Sequence, residues 1–396
     1  MTILDFVRQW AENCPEKPAI IYDGSCTTYG QLYSKMSKCE ALPIPLLGES
    51  WDGDFVLYTT GTTGKSKGVI ISQRAVIANS ENLIAGQGFS HNLVFIIAGA
   101  MDHLGSWSKI FPTLIQGGTL FILKDGMKSI ESFFSCMDNV VKDYALPEET
   151  KFATFLVPSN IRIMLQFSGS RLAQYADRID FIETGAAPMP HSDMLQLCEL
   201  LPNTRLFNTY ASTETGIVAT YNYNDGRCLQ GCLGHPLKHS TIFITEAGQI
   251  ATKGPTMMSG YKDQPELTLS VMHDDTLFTA DNGFIDEEGM LHILGRNDDI
   301  INIGGFKVSP VEVEDIAIAF PSVADCICIS APHPILGQSL KLLVALKPGE
   351  EFDKKAIARY INSRVDEQYK VPTAYQVVDK INRNQNGKLD RKSYRN

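Results

Sequence analysis

The sequence predicts an α/β fold: a large N-terminal domain of mostly parallel sheets with helices plus a small β subdomain, followed by a small α+β C-terminal domain. Three observations carry this. Strand-like and helix-like runs alternate between residues 54 and 210, the pattern of chains that build parallel sheets. After Tyr221, short strands separated by Gly, Asp and Asn turns take over. Beyond Asp299 the chain mixes helices and strands again, and about a hundred residues suffice for an independent unit.

In chain order, residues 1–15 set Asp5, Arg8 and Glu12 among apolar residues. That is a short amphipathic helix, without the continuous apolar core of a signal peptide. Strands are expected over 55–59, 69–72, 93–97 and 119–123, with helices such as 74–85 between them. The alternation continues with strand 155–157, helix 159–167, strand 178–183, helix 190–200 and strand 205–209. The β subdomain takes strands 240–244, 248–252 and 291–294. A boundary at 297–299 divides the chain into 1–296 and 297–396. Past it lie helix 310–319, strands 323–330 and 340–348, helix 354–365 and a last strand near 375–378. Ser309 is the expected N-cap of the first of these helices, with Pro310 at its first position.

Composition bounds the function. Of 396 residues 44% are apolar and 20% charged, ordinary for a soluble protein. The formal net charge of -10 disfavours a nucleic-acid binder, which needs a basic face. A local nucleotide site is still allowed, because it needs a few amides and cations rather than global charge. No stretch is long and apolar enough to span a membrane. Nine scattered cysteines suit a reducing compartment, so the expected location is cytoplasmic. Cys228, Cys232, His235 and His239 could be read as a zinc site, but their spacing is unlike a finger or ribbon. Loop-and-strand residues are the better reading.

The strongest local signal is Tyr58-Thr-Thr-Gly-Thr-Thr-Gly-Lys-Ser-Lys-Gly68, directly after a strand. Gly61 and Gly64 let the backbone turn tightly toward a polyanion. Thr59, Thr60, Thr62 and Thr63 supply hydroxyls, successive amides can form an anion nest, and Lys67 adds charge. Such a loop fits a triphosphate. It is not a Walker A loop, which has four residues between its first glycine and the Gly-Lys pair where this chain has two.

This loop resembles the phosphate loop of the adenylate-forming superfamily: acyl- and aryl-CoA synthetases, peptide-synthetase adenylation domains and firefly-type luciferases. The other motifs of that family follow in order. Asn208-Thr-Tyr-Ala-Ser-Thr-Glu214 is similar to its Tyr-Gly-x-Thr-Glu. There Tyr210 offers a flat face for adenine, Ala211 and Ser212 line the nucleotide, and Thr213 can bond an oxygen. Glu214 is a hard oxygen ligand for Mg2+, with Thr62 as a second metal contact. Gly185, Ala186 and Ala187 resemble the small-residue turn along adenine and acyl chain. Asp281 and Arg296 match the ribose-binding acid and arginine, and Asp298 the hinge. Gly304 and Gly305 fall in the loop that lines a tunnel for the thiol. Near the C-terminus, Gly387-Lys388 and Arg391 are retained, and a mobile lysine can place its ammonium on the α-phosphate. His103 resembles the histidine of acyl- and aryl-CoA synthetases; its distance to Gly117-Gly118 favours a fatty or aromatic acid over an amino acid.

The resemblance implies ATP, Mg2+ and either CoA or the phosphopantetheine of an acyl carrier protein, with a small carboxylic acid as substrate. Lys388, Glu214, Thr213 and His103 are the expected catalytic residues. One departure is large. After the opening at 15–32 the phosphate loop follows some thirty residues later, where the family has well over about a hundred, so the N-terminal domain reads as truncated between about residues 33 and 54. The rival expectation is a degenerate member kept as a nucleotide- or acyl-binding module.

Overall fold

The computed structural model describes residues 1–42, 53–60, 66–383 and 389–394. Its centre is an eight-stranded sheet. Strands Pro18–Tyr22, Thr119–Ile122, Leu93–Ile97, Lys151–Phe155, Ile179–Gly185 and Arg205–Ser212 run parallel. An antiparallel hairpin closes each edge, through Ser25–Thr28 and Gly216–Asn222.

Side chains alternate across these strands, so one run feeds two cores. Phe95 and Ile97 face the helices Ile3–Asn13, Gln73–Gln87 and Ile110–Ile115. Val94 and Ile96 face Ile130–Asp143, Pro158–Ala173 and His191–Leu200. Each such buried side chain stabilises the fold by about 1.5–3 kcal/mol. The expected helices form, with 354–365 ending early at Asn362. Among the described residues no helix is long and apolar enough to cross a membrane.

One element departs from the parallel pattern. The strand expected at 69–72 spans Ser66–Ile71 and pairs antiparallel with Phe55–Thr60, Tyr58 opposite Gly68. With Gly260–Tyr261 it makes a separate three-stranded sheet. Residues 61–65 therefore connect the strands of a hairpin, and a helix follows only after the second strand. Alternation of strand and helix reads the same either way, because it does not encode which strands pair.

The β subdomain is a six-stranded antiparallel sheet that includes Gln249–Lys253, Thr276–Ile285 and Leu291–Arg296. After the turn Asn297–Asp299 comes the hairpin Ile301–Ile303/Phe306–Val308. The strands Val323–His333, Gly337–Leu346 and Ala374–Val377 follow, with helices Pro310–Ile318 and Lys354–Asn362. This C-terminal domain has its own core around Val308, Val313, Leu342 and Ile357.

Candidate active site

Ligands of open parallel sheets bind beyond the carboxyl ends of the strands. Four of those ends carry the candidate residues. His103 lies past Leu93–Ile97, Phe155 ends its strand, Gly185 ends Ile179–Gly185, and Ala211 and Ser212 end Arg205–Ser212. Gly185 must be small: a Cβ there would lie 2.8 Å from the Thr209 carbonyl oxygen. Ala186 next to it has φ 66°, a left-handed conformation uncommon for a residue with a Cβ. Ala187 completes the turn, half-buried.

The tip between Ser212 and Gly216 holds Thr213 and Glu214 on a locked frame. Ser212 N donates to Thr215 Oγ1 at 3.0 Å, and Thr215 N donates to Ser212 Oγ at 3.0 Å. Buried Asn79 accepts from Ile217 N at 2.6 Å and donates to the Thr256 carbonyl at 3.0 Å, tying the tip to the helix Gln73–Gln87. Glu214 Oε1 accepts from the Tyr261 hydroxyl at 2.9 Å. Burial, reinforced by the charge of Glu214, pushes the Tyr261 phenol above its ordinary range, so it stays a donor. Lys67 Nζ sits 5.2 Å from the centre of the Tyr261 ring, and Thr59 pairs with Lys67. Tyr261 thus joins the phosphate-loop hairpin to Glu214. Its role has no local signal, because the two residues are 47 apart in sequence. Gly61, Thr62, Thr63 and Gly64 lie outside the described residues, as does the side chain of Thr60.

Asp281 and Arg296 stand directly opposite one another on neighbouring antiparallel strands. The Tyr210 hydroxyl donates to Asp281 Oδ2 at 2.9 Å. Tyr210 is only 5% exposed, packed with Val218, Leu233 and Ile250. The flat face expected for adenine is thus largely covered in this structure, and the phenol fixes the orientation of the Asp281 carboxylate. Alternation in the strand decides this, since Tyr210 pairs with Ala219 at the edge of an apolar cluster.

His103 caps its own turn, its Nδ1 accepting from Gly105 N at 3.1 Å, and its ring stacks on Phe155 at 6.4 Å. Behind Phe155 lies a pair that the motifs do not announce. Lys109 Nζ donates to Glu183 Oε1 at 2.9 Å, with the two side chains 0% and 1% exposed. Burial lowers the Lys109 pKa, and Glu183 opposes that shift. One lysine and one glutamate inside apolar runs were the available signal.

In the C-terminal domain Asp298 occupies the turn Asn297–Asp299, and Gly304 and Gly305 form a hairpin tip with φ 58° and 99°. Ser309 starts its helix without a side-chain cap; its hydroxyl is donated to the Leu294 carbonyl across the turn instead. Lys388 lies outside the described residues, but the chain on both sides of it is anchored. Arg391 forks onto buried Glu314, both contacts at 2.6 Å, and reaches Asp299 at 3.4 Å. Arg383 holds Asp325 at 2.8 Å, and Asp325 also meets Arg162, which pairs with Asp193. Asp315 accepts from His191 N at 2.8 Å and from Gln230, so the two domains touch through charged side chains.

Three of the four residues weighed as a zinc site, Cys228, Cys232 and His239, have separate partners. Cys232 contacts Met290, the Cys228 carbonyl accepts from the His191 ring at 2.8 Å, and His239 bonds Glu81. Among the described residues no group of three or more His, Cys, Asp or Glu could hold a metal ion.

The chain is 28% identical over 370 residues to a long-chain-fatty-acid–CoA ligase of Bacillus subtilis, covering 90% of this chain and 64% of that one. It therefore spans just under two thirds of the length of that curated relative. ATP-bound MatB from Rhodopseudomonas palustris superposes with a TM-score of 0.76 at 27% identity, over 86% of this chain and 67% of the other. The O-succinylbenzoate coenzyme A synthetase of Bacillus subtilis in complex with AMP shares the fold, with a TM-score of 0.81 at 19% identity, covering 99% and 98%. The model of the AMP-binding enzyme matches residues 46–262, more than half of the sequence, and that of its C-terminal domain matches 312–388. The chain belongs to the AMP-binding enzyme family.

Proposed function

We propose that this chain is an ATP-dependent acid–thiol ligase, which converts a carboxylic acid to an acyl-adenylate and passes the acyl group to a thiol. The observation that carries this is the joining of Lys67, Tyr261 and Glu214 at the phosphate-loop hairpin, with Asp281 and Arg296 paired for the ribose. The related proteins named above are a CoA ligase, a coenzyme A synthetase and an ATP-bound structure, which supports the same reading. The thiol acceptor is CoA or the phosphopantetheine of a carrier protein.

Asp281, oriented by Tyr210, accepts the ribose hydroxyls, and Arg296 adds a donor beside it. The glycine–threonine loop wraps the phosphates, and Gly185 to Ala187 give adenine and acid close access to the main chain. Holding both substrates here makes carboxylate attack on the α-phosphate effectively intramolecular. Lys388 neutralises charge at the phosphorus, and turning at Asp298 then withdraws it while Gly304 and Gly305 admit the thiol. The domain limits 1–296 and 297–396 follow from that hinge, and the shortened stretch between about 33 and 54 leaves these residues intact.

Glu214 fits a magnesium ion: half-buried, it has no ion pair among the described residues, so its charge is available to a cation. When bound, Mg2+ would offset phosphate charge. Thr62 is its proposed second contact.

ATP–pyrophosphate exchange across a panel of carboxylic acids tests the proposal. Acid-dependent exchange supports it; nucleotide binding with no exchange for any acid replaces it by a binding module.

A further inference from the structure

The geometry points to Glu183, held by Lys109, as the residue that selects the acid: an aryl acid carrying a hydroxyl or amino donor at the end distant from its carboxyl. This rests on the ligase reading and narrows its substrate class.

In the strand Ile179–Gly185 side chains alternate, so Phe181, Glu183 and Gly185 share a face. Phe181 and Phe155 belong to the same core cluster, which places Glu183 on the side of Phe155 and Trp107. At the mouth of this side lies Gly185. Phe155 comes next, so close to Gly105 that a Cβ there would fall 2.3 Å from the ring, with His103 stacked against it. Behind stand Lys109, 5.5 Å from the centre of the Phe155 ring, and Glu183. Small residues, aromatic wall and ionic floor thus succeed one another.

The floor is chemically incomplete. Glu183 Oε1 accepts from Lys109, but Oε2 is buried with no hydrogen-bond partner among the described residues. Buried polar atoms are nearly always paired, so an orphan calls for a reason. A buried ion pair is also weak evidence for stability, since apolar residues of similar volume serve a core equally well. An O–H or N–H of the bound acid donating to Oε2 accounts for both. The length agrees: two strand residues from Gly185 to Glu183 measure about 6.6 Å, close to the span from carboxyl to para substituent across one benzene ring. An alkyl chain of the same reach would lay methylenes on a charged pair and leave the oxygen unpaired.

The experiment is ATP–pyrophosphate exchange with 4-hydroxybenzoate, 4-aminobenzoate, benzoate, hexanoate and decanoate. The hydroxyl or amino acid should exceed benzoate at least about tenfold in kcat/KM, because a site built to bond a donor rejects the analogue lacking it. In the double variant Glu183→Leu/Lys109→Met, which removes both charges together and so strands neither, the ratio of 4-hydroxybenzoate to benzoate should fall toward one. A thermal melt unchanged from the parent separates this from misfolding; if the double variant unfolds, Glu183→Gln is read for the same ratio. Exchange with benzoate or decanoate as efficient as with 4-hydroxybenzoate overturns the assignment and leaves the ligase reading standing. A ratio unchanged in the folded variant also overturns it. Exchange with none of these or any other acid overturns both.

Discussion

The nucleotide side of the site and the segment around Lys388 are built by opposite means. The first hangs on strand ends and a tip locked by Ser212, Thr215 and Asn79, where buried hydrogen bonds leave little freedom. The second is held at its flanks by two arginines, Arg383 and Arg391, on carboxylates of the C-terminal domain. A rigid frame suits groups that recognise a ligand. A tethered segment on a separately folded domain suits a charge that must arrive for one step and leave for the next. Polar contacts between the domains run through Asp315 and Asp325.

The contrast can be broken at several points. Arg391→Ala strands Glu314 as an unpaired buried carboxylate and should cost about 3–5 kcal/mol, seen as early melting of the C-terminal domain. A melt identical to the parent's would mean that the fork does not anchor the tail. Lys388→Ala should slow adenylation by roughly 10²–10³-fold, about 3–4 kcal/mol, and spare thiol transfer from supplied acyl-adenylate. Equal losses in both half-reactions would contradict a group that acts once. On the rigid side, Tyr261→Phe removes one bond to a charged group. It should weaken pyrophosphate exchange by about 1.5–3 kcal/mol without a matching loss of stability. Ala186→Gly relieves a left-handed backbone and should raise stability by up to about 1 kcal/mol, read from the denaturation midpoint.

The smallest effect is in pH. Hydrogen bonds from Lys238 and His239 hold the Glu81 pKa below its ordinary value. A depressed carboxylate contributes stability above its unfolded pKa and loses it as pH falls through the folded one. Glu81→Gln should therefore lower stability slightly at neutral pH, flatten its fall below about pH 4.5, and converge with the parent in stronger acid. An unaltered acid limb would show that this surface cluster contributes nothing.

What could be read from residues alone follows what is local. The parallel strands and the small turn at Gly185 follow from runs and motifs. Pairing is not local, so the phosphate-loop hairpin passed for part of the parallel sheet. The burial of Tyr210 has no local signal either, because it depends on Leu233 and Ile250 from another sheet. Lys109 and Glu183, 74 residues apart, meet only when the fold brings helix and strand together.

The Arg391–Glu314 fork also limits how such enzymes can be recombined. An exchange of the C-terminal tail alone would separate Arg391 from Glu314 and Asp299, the acids that receive it. Chimeras joined at the turn Asn297–Asp299 should keep the fork, whereas a join between Glu314 and Arg391 takes its two partners from different parents.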